Sequence, residues 1–323
     1  MIIEYVWIDG NGKLRSKARV LADDALIPHW NFDGSSTCQA SGSDSEVIIV
    51  PRAIFNDPFR KNNNKMVMCD TYHSNGVPLP DNNRYKASII LNKYAAEEPW
   101  FGLEQEYFIM NLSTQTPNTL GLYYCGVGNG NATGRHIAEE HLACCIEAGI
   151  KISGINAEVS PCQWEYQIGP CEGIEQGDHM WMARYILNRI SESHHVNINY
   201  EAKPLAGDIN GSGCHANFST KNMREGTIGK TGIEYIRESI YKLSQRHKEH
   251  MSVYGTGNED RMTGINETSD YNTFTYGVAN RGASIRIGNE TVTNGKGYFE
   301  DRRPSANCDP YLVTSKLVET TFI

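Results

Sequence analysis

The sequence predicts an α+β fold built from two units. Its 323 residues exceed what one ordinary hydrophobic core organises, which favours two domains. Short strand patterns separated by turn residues fill residues 1–80, whereas strand and helix patterns alternate over residues 81–323. The boundary is placed between residues 80 and 81, within a linker-like stretch, residues 76–83, that contains Pro78 and Pro80. We therefore expect a small β-rich domain followed by a larger domain with an antiparallel sheet.

The composition excludes several classes of protein. Hydrophobic residues make up 39% of the chain and charged residues 21%, which is typical of globular proteins. Thirty Lys and Arg against 38 Asp and Glu give a formal charge of -8, so nucleic acid is not an expected partner. No apolar run approaches the ~20 residues that span a bilayer, and no signal peptide follows Met1. Nine cysteines without a Cys-x-x-Cys pair indicate reduced thiols, so we expect a cytoplasmic protein without membrane contact.

The first unit begins with a predicted β-hairpin. Residues 5–8 form a strand pattern that runs into Asp-Gly-Asn-Gly at positions 9–12, and residues 14–20 return. Two further short strands are predicted at residues 47–51 and 65–69. These strands would form one small sheet.

The second unit contains four helical patterns. Asn82 or Asn83 is a suitable N-cap for the first, Gly149 a suitable end for the second, and Asp178 a suitable N-cap for the third. The fourth follows from apolar residues spaced three and four apart. The four predicted helices cover residues 85–98, 135–147, 178–193 and 233–250.

Two carboxylates stand on one predicted strand, residues 101–109. Apolar and polar residues alternate there with period two, so Phe101 and Leu103 share one face while Glu104 and Glu106 project from the other. For a lone Glu-x-Glu, a solvated strand face is the commoner explanation.

A second pair of carboxylates lies in a predicted hairpin, residues 152–169. If the chain turns at Pro161-Cys162, Glu158 lies directly opposite Glu165. At ~4 Å and an effective dielectric of ~20 their repulsion is about 4 kcal/mol, which favours a shared proton or a bound cation. The alternative is a longer loop in which the two carboxylates miss each other.

Arginines accompany a further glutamate near the C-terminus. Glu300 and Arg302 share one strand face, with Phe299 on the other, and Arg281 and Arg286 stand in an apolar segment upstream. Guanidinium groups in such segments suit the recognition of carboxylates or phosphates. Structural ion pairs with the glutamates are the alternative.

His215 follows a glycine-rich segment, residues 207–213, which allows a ligand to approach the backbone closely. A structural histidine is the alternative. Five carboxylates, one imidazole and no thiolate cluster favour Mg²⁺ or Mn²⁺ over zinc or copper. Beside arginines, such ions indicate a phosphate-bearing substrate. The glycines of residues 226–231 are too closely spaced for a phosphate-binding loop.

The assembled pattern resembles glutamine synthetase in its class II form, typical of eukaryotes. The resemblance implies a β-grasp domain over residues 1–80 and, over residues 81–323, a catalytic domain whose curved antiparallel sheet, flanked by helices, forms a funnel. It also implies a ring of subunits, expected to be pentameric and stacked as a decamer, in which neighbours complete each site. The matching segments are residues 30–37, 102–107, 156–159, 163–173, 210–219, 267–269, 280–287 and 297–310.

The resemblance also implies the ligands of two or more Mg²⁺ or Mn²⁺ ions and of ATP. One ion would be held by Glu106, Glu158 and Glu165, and the other by Glu104, His215 and Glu300. The implied ATP-binding residues are Glu104, Glu165, Tyr166, Gln167, Ile168, Gly169, Pro170, Asn217, Phe218, Ser219, Arg281, Arg286, Tyr298, Phe299 and Glu300.

The implied reaction joins ammonia to L-glutamate through γ-glutamyl phosphate. Asp33 of a neighbouring subunit would bind ammonium and take its proton, with Ser35 and Glu158 nearby. Glu267 would lie on a flap that keeps water from the acyl phosphate, and Arg281 would meet the transferred phosphoryl group. The implied glutamate-binding residues are Asp208, Ile209, Asn210, Gly211, Arg261, Arg281 and Arg302. From the residues alone, a turn in Asn-Phe-Asp-Gly-Ser is the alternative for Asp33.

The chain departs from the family pattern near the substrate. Ile209 replaces a tryptophan, Asp208 an asparagine and Asn266 a histidine, so affinity for glutamate is expected to differ. The first strand begins almost at Met1, which leaves open whether one ring or two forms. A γ-glutamyl-amine ligase and a non-catalytic ring like that of eye lenses are the alternative functions. Asp33, the residue expected to bind ammonium, and the full set of carboxylates favour the synthetase.

Overall fold

A computed structural model describes residues 1–112, 123–207 and 209–323. Asp208, one of the residues expected at the glutamate site, lies outside the described ranges. Among the helices of these ranges, none combines the length and the apolar character that crossing a bilayer requires. Each of the nine cysteines is a free thiol.

The N-terminal part of the chain forms a five-stranded sheet in the order β2-β1-β5-β4-β3. The predicted hairpin is confirmed, since β1 pairs with β2 in antiparallel fashion and Ile8 lies opposite Leu14. Strands β1 and β5 are parallel, and the remaining neighbours are antiparallel. The strands are β1 (Ile2–Ile8), β2 (Leu14–Val20), β3 (Trp30–Asp33), β4 (Glu46–Asn56) and β5 (Lys65–His73).

The rest of the chain forms an eight-stranded sheet in the order β11-β12-β13-β10-β6-β8-β7, with β9 also pairing with β6. Every pair is antiparallel except β11 with β12. The strands are β6 (Trp100–Met110), β7 (Ile152–Ala157), β8 (Gln163–Glu172), β9 (Asn197–Asn199), β10 (Cys214–Ser219), β11 (Tyr276–Val278), β12 (Ile285–Ile287) and β13 (Phe299–Asp301). Side chains of β6 therefore meet those of β8 on one side and β10 on the other.

Helices cover one face of this sheet, and two predicted caps are confirmed. The Asn82 side chain accepts the Tyr85 N–H at 3.0 Å at the start of α1, and Gly149, with φ 82°, ends α2. The helices are α1 (Asn83–Lys93), α2 (Arg135–Ala148), α3 (Glu175–His194), α4 (Lys221–Glu225), α5 (Gly232–Gln245), α6 (His247–Met251), α7 (Asn258–Arg261), α8 (Asn289–Asn294) and α9 (Pro310–Phe322).

The prediction that Asp178 caps α3 is wrong, because the helix begins at Glu175, three residues earlier. Its carboxylate is buried, pairs with the Arg84 guanidinium at 2.7 Å and accepts the Tyr311 hydroxyl at 2.6 Å. An aspartate near a helix start resembles a cap in sequence, but here tertiary partners determine its place. Two other boundaries also differ, because α1 ends five residues before the predicted 98 and the last predicted helix breaks between α5 and α6.

The predicted register of the β7–β8 hairpin is wrong by two residues. Asn156 lies opposite Glu165, and the Glu158 N–H donates to the Gln163 carbonyl at 2.9 Å. The loop therefore has four residues, 159–162, instead of two. Because a shift of two preserves the alternation of faces, the predicted polar face survives this error.

Two hydrophobic clusters hold the sheets in place. The larger cluster lies under the eight-stranded sheet, around Leu103 and Trp164, and extends to Val6 and Met66 of the N-terminal sheet. A smaller cluster around Tyr5 covers the opposite face of the N-terminal sheet. The face of the eight-stranded sheet that carries the carboxylates is turned away from the core.

Candidate active site

The predicted carboxylates and His215 converge on the polar face of the eight-stranded sheet. Residues on neighbouring antiparallel strands that lie opposite each other project from the same face. His215 of β10 lies opposite Glu104 of β6, and Glu106 lies opposite Glu165 of β8. Glu300 is brought to the same face by β13, which pairs with β10.

Two overlapping groups of potential metal ligands result. The donor atoms of Glu104, His215 and Glu300 lie within 4.8 Å of one another, as do those of Glu106, Glu165 and His215. The Nδ1 atom of His215 lies 3.5 Å from Glu104 Oε2 and 3.4 Å from Glu300 Oε1, and its Nε2 lies 3.9 Å from Glu106 Oε1. The imidazole thus stands between two places where a cation could bind.

Burial makes the charged forms of these groups costly. Burial, and then the charge of Glu158, raises the pKa of Glu106 to about 8. Burial and the three neighbouring glutamates raise the pKa of Glu165 well above its ordinary value. Burial also lowers the pKa of His215 well below its ordinary value. A bound divalent cation would favour the neutral imidazole. It would also favour the ionised form of the carboxylates, because its charge offsets their mutual repulsion.

Four of the carboxylates each accept a hydrogen bond from a side-chain amide. Asn217 donates to Glu104 Oε1 at 2.8 Å, Asn156 to Glu158 Oε1 at 2.9 Å, Gln163 to Glu106 Oε2 at 3.3 Å, and Gln167 to Glu165 Oε1. The sequence analysis gave Asn156 and Gln163 no role, because an amide carries no charge to draw attention. Alternation along the strands was the available signal, since it places Asn156 on the carboxylate face.

Arginines surround the C-terminal side of the cluster. The guanidinium groups of Arg302 and Arg286 lie 2.7 Å and 2.9 Å from the two oxygens of Glu300. Structural ion pairs, the alternative considered for these arginines, are therefore present. Arg281 and Glu267, both about half exposed, form another pair at 3.1 Å. Burial lowers the pKa of Arg261 to about 10.

A cavity of about 190 Å³ lies over the cluster. It is lined by the six predicted metal ligands, and also by most of the residues expected to bind glutamate or to act in catalysis. Those residues are Asn210, Gly211, Arg261, Glu267, Arg281 and Arg302, and Arg286, expected at the ATP phosphates, lines the cavity as well. Tyr124 and Thr268 also line the cavity, and the sequence analysis did not single them out.

A second cavity, of about 540 Å³, shares Glu104 and Gln167 with the first. It is lined by seven more of the predicted nucleotide residues: Ile168, Gly169, Pro170, Asn217, Phe218, Ser219 and Tyr298. Trp100 and Arg224, which the sequence analysis missed, also line it, and the Arg224 guanidinium lies 4.0 Å over the Trp100 ring. A more apolar cavity beside a polar one suits a ligand with a flat base and a charged end.

Two residues expected at the nucleotide site have their side chains in the core. Tyr166 stacks edge-on against His141 at 4.7 Å, and Phe299 against Phe218 at 5.6 Å. Both side chains are fully buried and line neither cavity. In these two cases only the backbone is in a position to contribute to the site.

Asp33, Ser35 and Ile209 are not brought to the cluster within the described chain, because none of them lines either cavity. The Asp33 carboxylate accepts the Ser35 hydroxyl at 2.6 Å and the Ser36 hydroxyl at 3.0 Å. It also accepts the Ser35 N–H, so the turn considered as its alternative role is present. These bonds, led by the Ser35 hydroxyl, lower the pKa of Asp33.

Comparisons with known proteins agree with this architecture. The profile described as the β-grasp domain of glutamine synthetase matches residues 1–74, and that of its catalytic domain matches residues 84–231. Two solved structures, a GmaS–ADP complex and ligand-free GmaS, have TM-scores of 0.77 and 0.78 at 19% identity, and each covers 99% of this chain and 77% of that chain. At this identity they show the fold alone.

Curated plant proteins are much more similar in sequence. Glutamine synthetase cytosolic isozyme 1-1 of Oryza sativa subsp. japonica is 53% identical over 339 residues, which cover 100% of this chain and 94% of that protein. The nodule isozyme of Medicago sativa is also 53% identical, with the same coverage. The predicted fold, a β-grasp domain followed by a catalytic domain with a curled sheet and helices, is thereby confirmed. The chain belongs to the glutamine synthetase family, in its eukaryotic-type branch.

Proposed function

We propose that this protein is a glutamine synthetase, which ligates ammonia to L-glutamate at the expense of ATP. The observation that carries the proposal is the cluster of five carboxylates and His215, which lies between four arginines and an adjoining apolar cavity. A protein released from catalysis would have no reason to keep mutually repelling glutamates together. Family membership supports the same activity.

The donor set fits hard divalent cations. Glu106, Glu158 and Glu165 would hold one Mg²⁺ or Mn²⁺ ion, and Glu104, His215 and Glu300 the other. Carboxylate oxygens with one imidazole and no thiolate are the ligands these ions prefer. When bound, the ions would neutralise negative charge on the phosphoryl oxygens of ATP.

The residues around the cluster would orient the substrates. The more apolar cavity at Trp100 and Tyr298 would take the base of ATP, and its phosphates would extend past Glu104 toward Arg286. Arg261 and Arg302 would bind the carboxylates of glutamate, because planar guanidinium groups recognise carboxylates through paired hydrogen bonds.

The reaction would proceed in two steps. An oxygen of the glutamate γ-carboxylate attacks the γ-phosphorus of ATP, and ADP leaves. Ammonia then attacks the γ-carbonyl carbon, and phosphate leaves with the electron pair of the broken C–O bond. Arg281 would stabilise the phosphoryl group in transfer, and its ion pair with Glu267 would help to cover the acyl phosphate.

Ammonium would be bound by Asp33 of a neighbouring subunit, which would also take its proton, with Ser35 and Glu158 nearby. This role requires a ring, and we propose pentameric rings stacked as a decamer. We also propose a division into domains at residues 1–80 and 81–323, and a cytosolic location. The name of the rice relative, a cytosolic isozyme, supports that location.

The activity is tested by incubating the protein with ATP, Mg²⁺ and glutamate, with and without ammonium. We expect phosphate release that depends on ammonium and equals the glutamine formed. Release that depends only on small organic amines would favour a γ-glutamyl-amine ligase. No release with Mg²⁺ or Mn²⁺ would overturn the proposal.

A further inference from the structure

Gln163 holds a position between two parts of the site that perform different tasks. Its side chain is buried, at 2% exposure, and lines the polar cavity. Its amide nitrogen lies 3.3 Å from Glu106 Oε2, 3.0 Å from the Gly211 carbonyl and 3.4 Å from the Ser212 hydroxyl. One NH₂ group therefore contacts both a predicted metal ligand and the loop expected to bind glutamate.

The other end of the Gln163 amide is fixed. Its Oε1 accepts the Ser160 N–H at 3.2 Å, inside the four-residue loop that closes the β7–β8 hairpin. This bond sets the orientation of the amide, because the oxygen faces Ser160 and the two N–H groups must then face Glu106 and Gly211. A residue without an amide could not satisfy all three partners.

The interaction also determines which oxygen of Glu106 is free. Oε2 accepts from Gln163 and from the Gly213 N–H, the latter at 2.9 Å. Oε1 is the oxygen that faces His215, at 3.9 Å from Nε2. Hydrogen bonds to one carboxylate oxygen orient the other, and partners of this kind typically affect metal affinity by about 10–100-fold when they are removed.

The loop side of the interaction is equally constrained. A Cβ atom at Gly211 would lie 2.4 Å from the Ala202 carbonyl oxygen and 2.5 Å from Arg261 Cγ, so the backbone there is packed without slack. Gly211 thus packs closely against the side chain of Arg261, one of the residues proposed to bind glutamate, so a displacement of this backbone segment would disturb Arg261. The amide of Gln163 is a direct connection between this backbone and Glu106.

We propose that Gln163 is a positioning residue that couples the metal site at Glu106 to the glutamate loop at Gly211. The inference rests on the proposed function and adds a specific consequence to it. By linkage, a metal ion that fixes Glu106 strengthens glutamate binding, and glutamate strengthens metal binding by the same factor. Much of that factor depends on the Gln163 amide.

The test compares wild-type protein with Gln163→Met, which keeps the side-chain length but removes the donors. Mn²⁺ affinity is measured by electron paramagnetic resonance with and without glutamate, and the KM values for glutamate and ATP are measured separately. We expect the Mn²⁺ dissociation constant and the glutamate KM to rise about 10-fold or more, the ATP KM to change less than about twofold, and the coupling between Mn²⁺ and glutamate to shrink.

Two further variants make the result decisive. Gln163→Asn keeps the amide but draws it back by one methylene, so it should show the same loss of coupling even if Gln163→Met does not fold. Gln176→Leu is a matched control, since Gln176 is also buried and, within the described ranges, its amide donates to the Ile168 carbonyl alone, at 3.1 Å. Its Mn²⁺ affinity should stay unchanged.

Unchanged Mn²⁺ affinity and glutamate KM in both Gln163 variants, alongside an active wild-type enzyme, would overturn the inference alone. A wild-type protein that binds no Mn²⁺ and forms no glutamine would instead overturn the proposed function. The two failures are therefore distinguishable within one set of measurements.

Discussion

Glu106 of β6 and Glu165 of β8 lie directly opposite each other in an antiparallel pair of strands. Like charges in this arrangement destabilise a sheet, and here burial removes the solvent that would screen them. Both pKa values are raised as a result. The two carboxylates are thus held together at a cost to the metal-free protein, which is the expected state of a site organised for a cation.

Removing one of these charges should stabilise the metal-free protein while abolishing turnover. At pH 8 Glu165 is either ionised beside Glu106 or protonated at a pH above its ordinary pKa. Either state lowers the free energy of unfolding of the metal-free protein. We expect Glu165→Gln to raise the free energy of unfolding by about 1 kcal/mol, measured with urea in the presence of a chelator. Glu172→Gln, an exposed position on the same strand, should change neither stability nor activity. A Glu165→Gln enzyme of near-normal rate would remove Glu165 from the metal site.

How much of this site the sequence predicts depends on the range of the contact. Period-two alternation placed Glu104 and Glu106 on one face correctly, because that pattern is local. The predicted hairpin has Glu158 opposite Glu165, but Asn156 occupies that place, because hairpin register depends on loop geometry. The pairing of Glu106 with Glu165 joins β6 and β8, segments about 60 residues apart, and no local pattern records such a contact.

A similar limit applies to the polar side chains that support the cluster. Asp178 resembled a helix cap, but its partners Arg84 and Tyr311 come from distant segments. The Gln163 amide contacts Gly211, 48 residues away in sequence. Residues of this kind gain a role only from tertiary packing, whereas the carboxylates proposed to bind metal were visible in sequence because charged residues are rare in otherwise apolar strands.

Separate loss of each ion is expected from substitutions on the two sides of His215. Wild-type protein should bind two Mn²⁺ ions per chain with high affinity, while Glu300→Gln and Glu106→Gln should each lose a different one. Binding of an ion to the folded state alone stabilises it by about 2.7 kcal/mol at 100 times its dissociation constant. Titration with Mn²⁺ measures the number of ions bound per chain, and thermal melting of the same samples measures the stabilisation. Equal stoichiometry in all three proteins would contradict the two-ion assignment.

The ion pair between Glu267 and Arg281 should protect the reaction intermediate more than it stabilises the fold. Both side chains are about half exposed, so the pair contributes roughly 0–1 kcal/mol to stability. We expect Glu267→Ala to release more phosphate than glutamine, because water gains access to the acyl phosphate. The ratio of the two products measures this directly. Glu259→Ala, at an exposed position on α7, serves as the control, and a ratio of one in Glu267→Ala would exclude the shielding role.

Acid should destabilise the protein through His141, which is fully buried in the core and packs against the Tyr166 ring at 4.7 Å. Its Nε2 lies 3.0 Å from the Ala183 carbonyl oxygen, and burial lowers its pKa to about 4. The unfolded chain takes up a proton near pH 6.5, while the folded protein does so only near pH 4. The contribution of neutral His141 to the free energy of unfolding is therefore fully present above pH 6.5. The free energy of unfolding falls by on the order of 2–3 kcal/mol as the pH drops toward 4. Denaturation curves at several pH values should show this slope reduced in His141→Gln and unchanged in His195→Gln, an exposed position.

The proposed role of Asp33 can be separated from its role in the turn by mixing two variants, one impaired at Asp33 and one inactive at Glu165. Asp33 lines neither cavity of its own chain, so a catalytic role requires a neighbouring subunit. We expect Asp33→Ala to impair the use of ammonium more than the binding of ATP, and Glu165→Ala to be inactive. When the two variants are dissociated and reassembled together, about a quarter of the interfaces in a head-to-tail ring would combine an intact Asp33 with an intact Glu165. Activity should therefore return on mixing and should increase with subunit exchange.

Asp33 also caps the short helical turn at residues 34–37. Asp33→Asn keeps an acceptor for the Ser35 N–H, so this variant distinguishes loss of the turn from loss of the base. Full activity in Asp33→Asn, or no recovery in mixed rings of confirmed composition, would assign Asp33 to the turn alone.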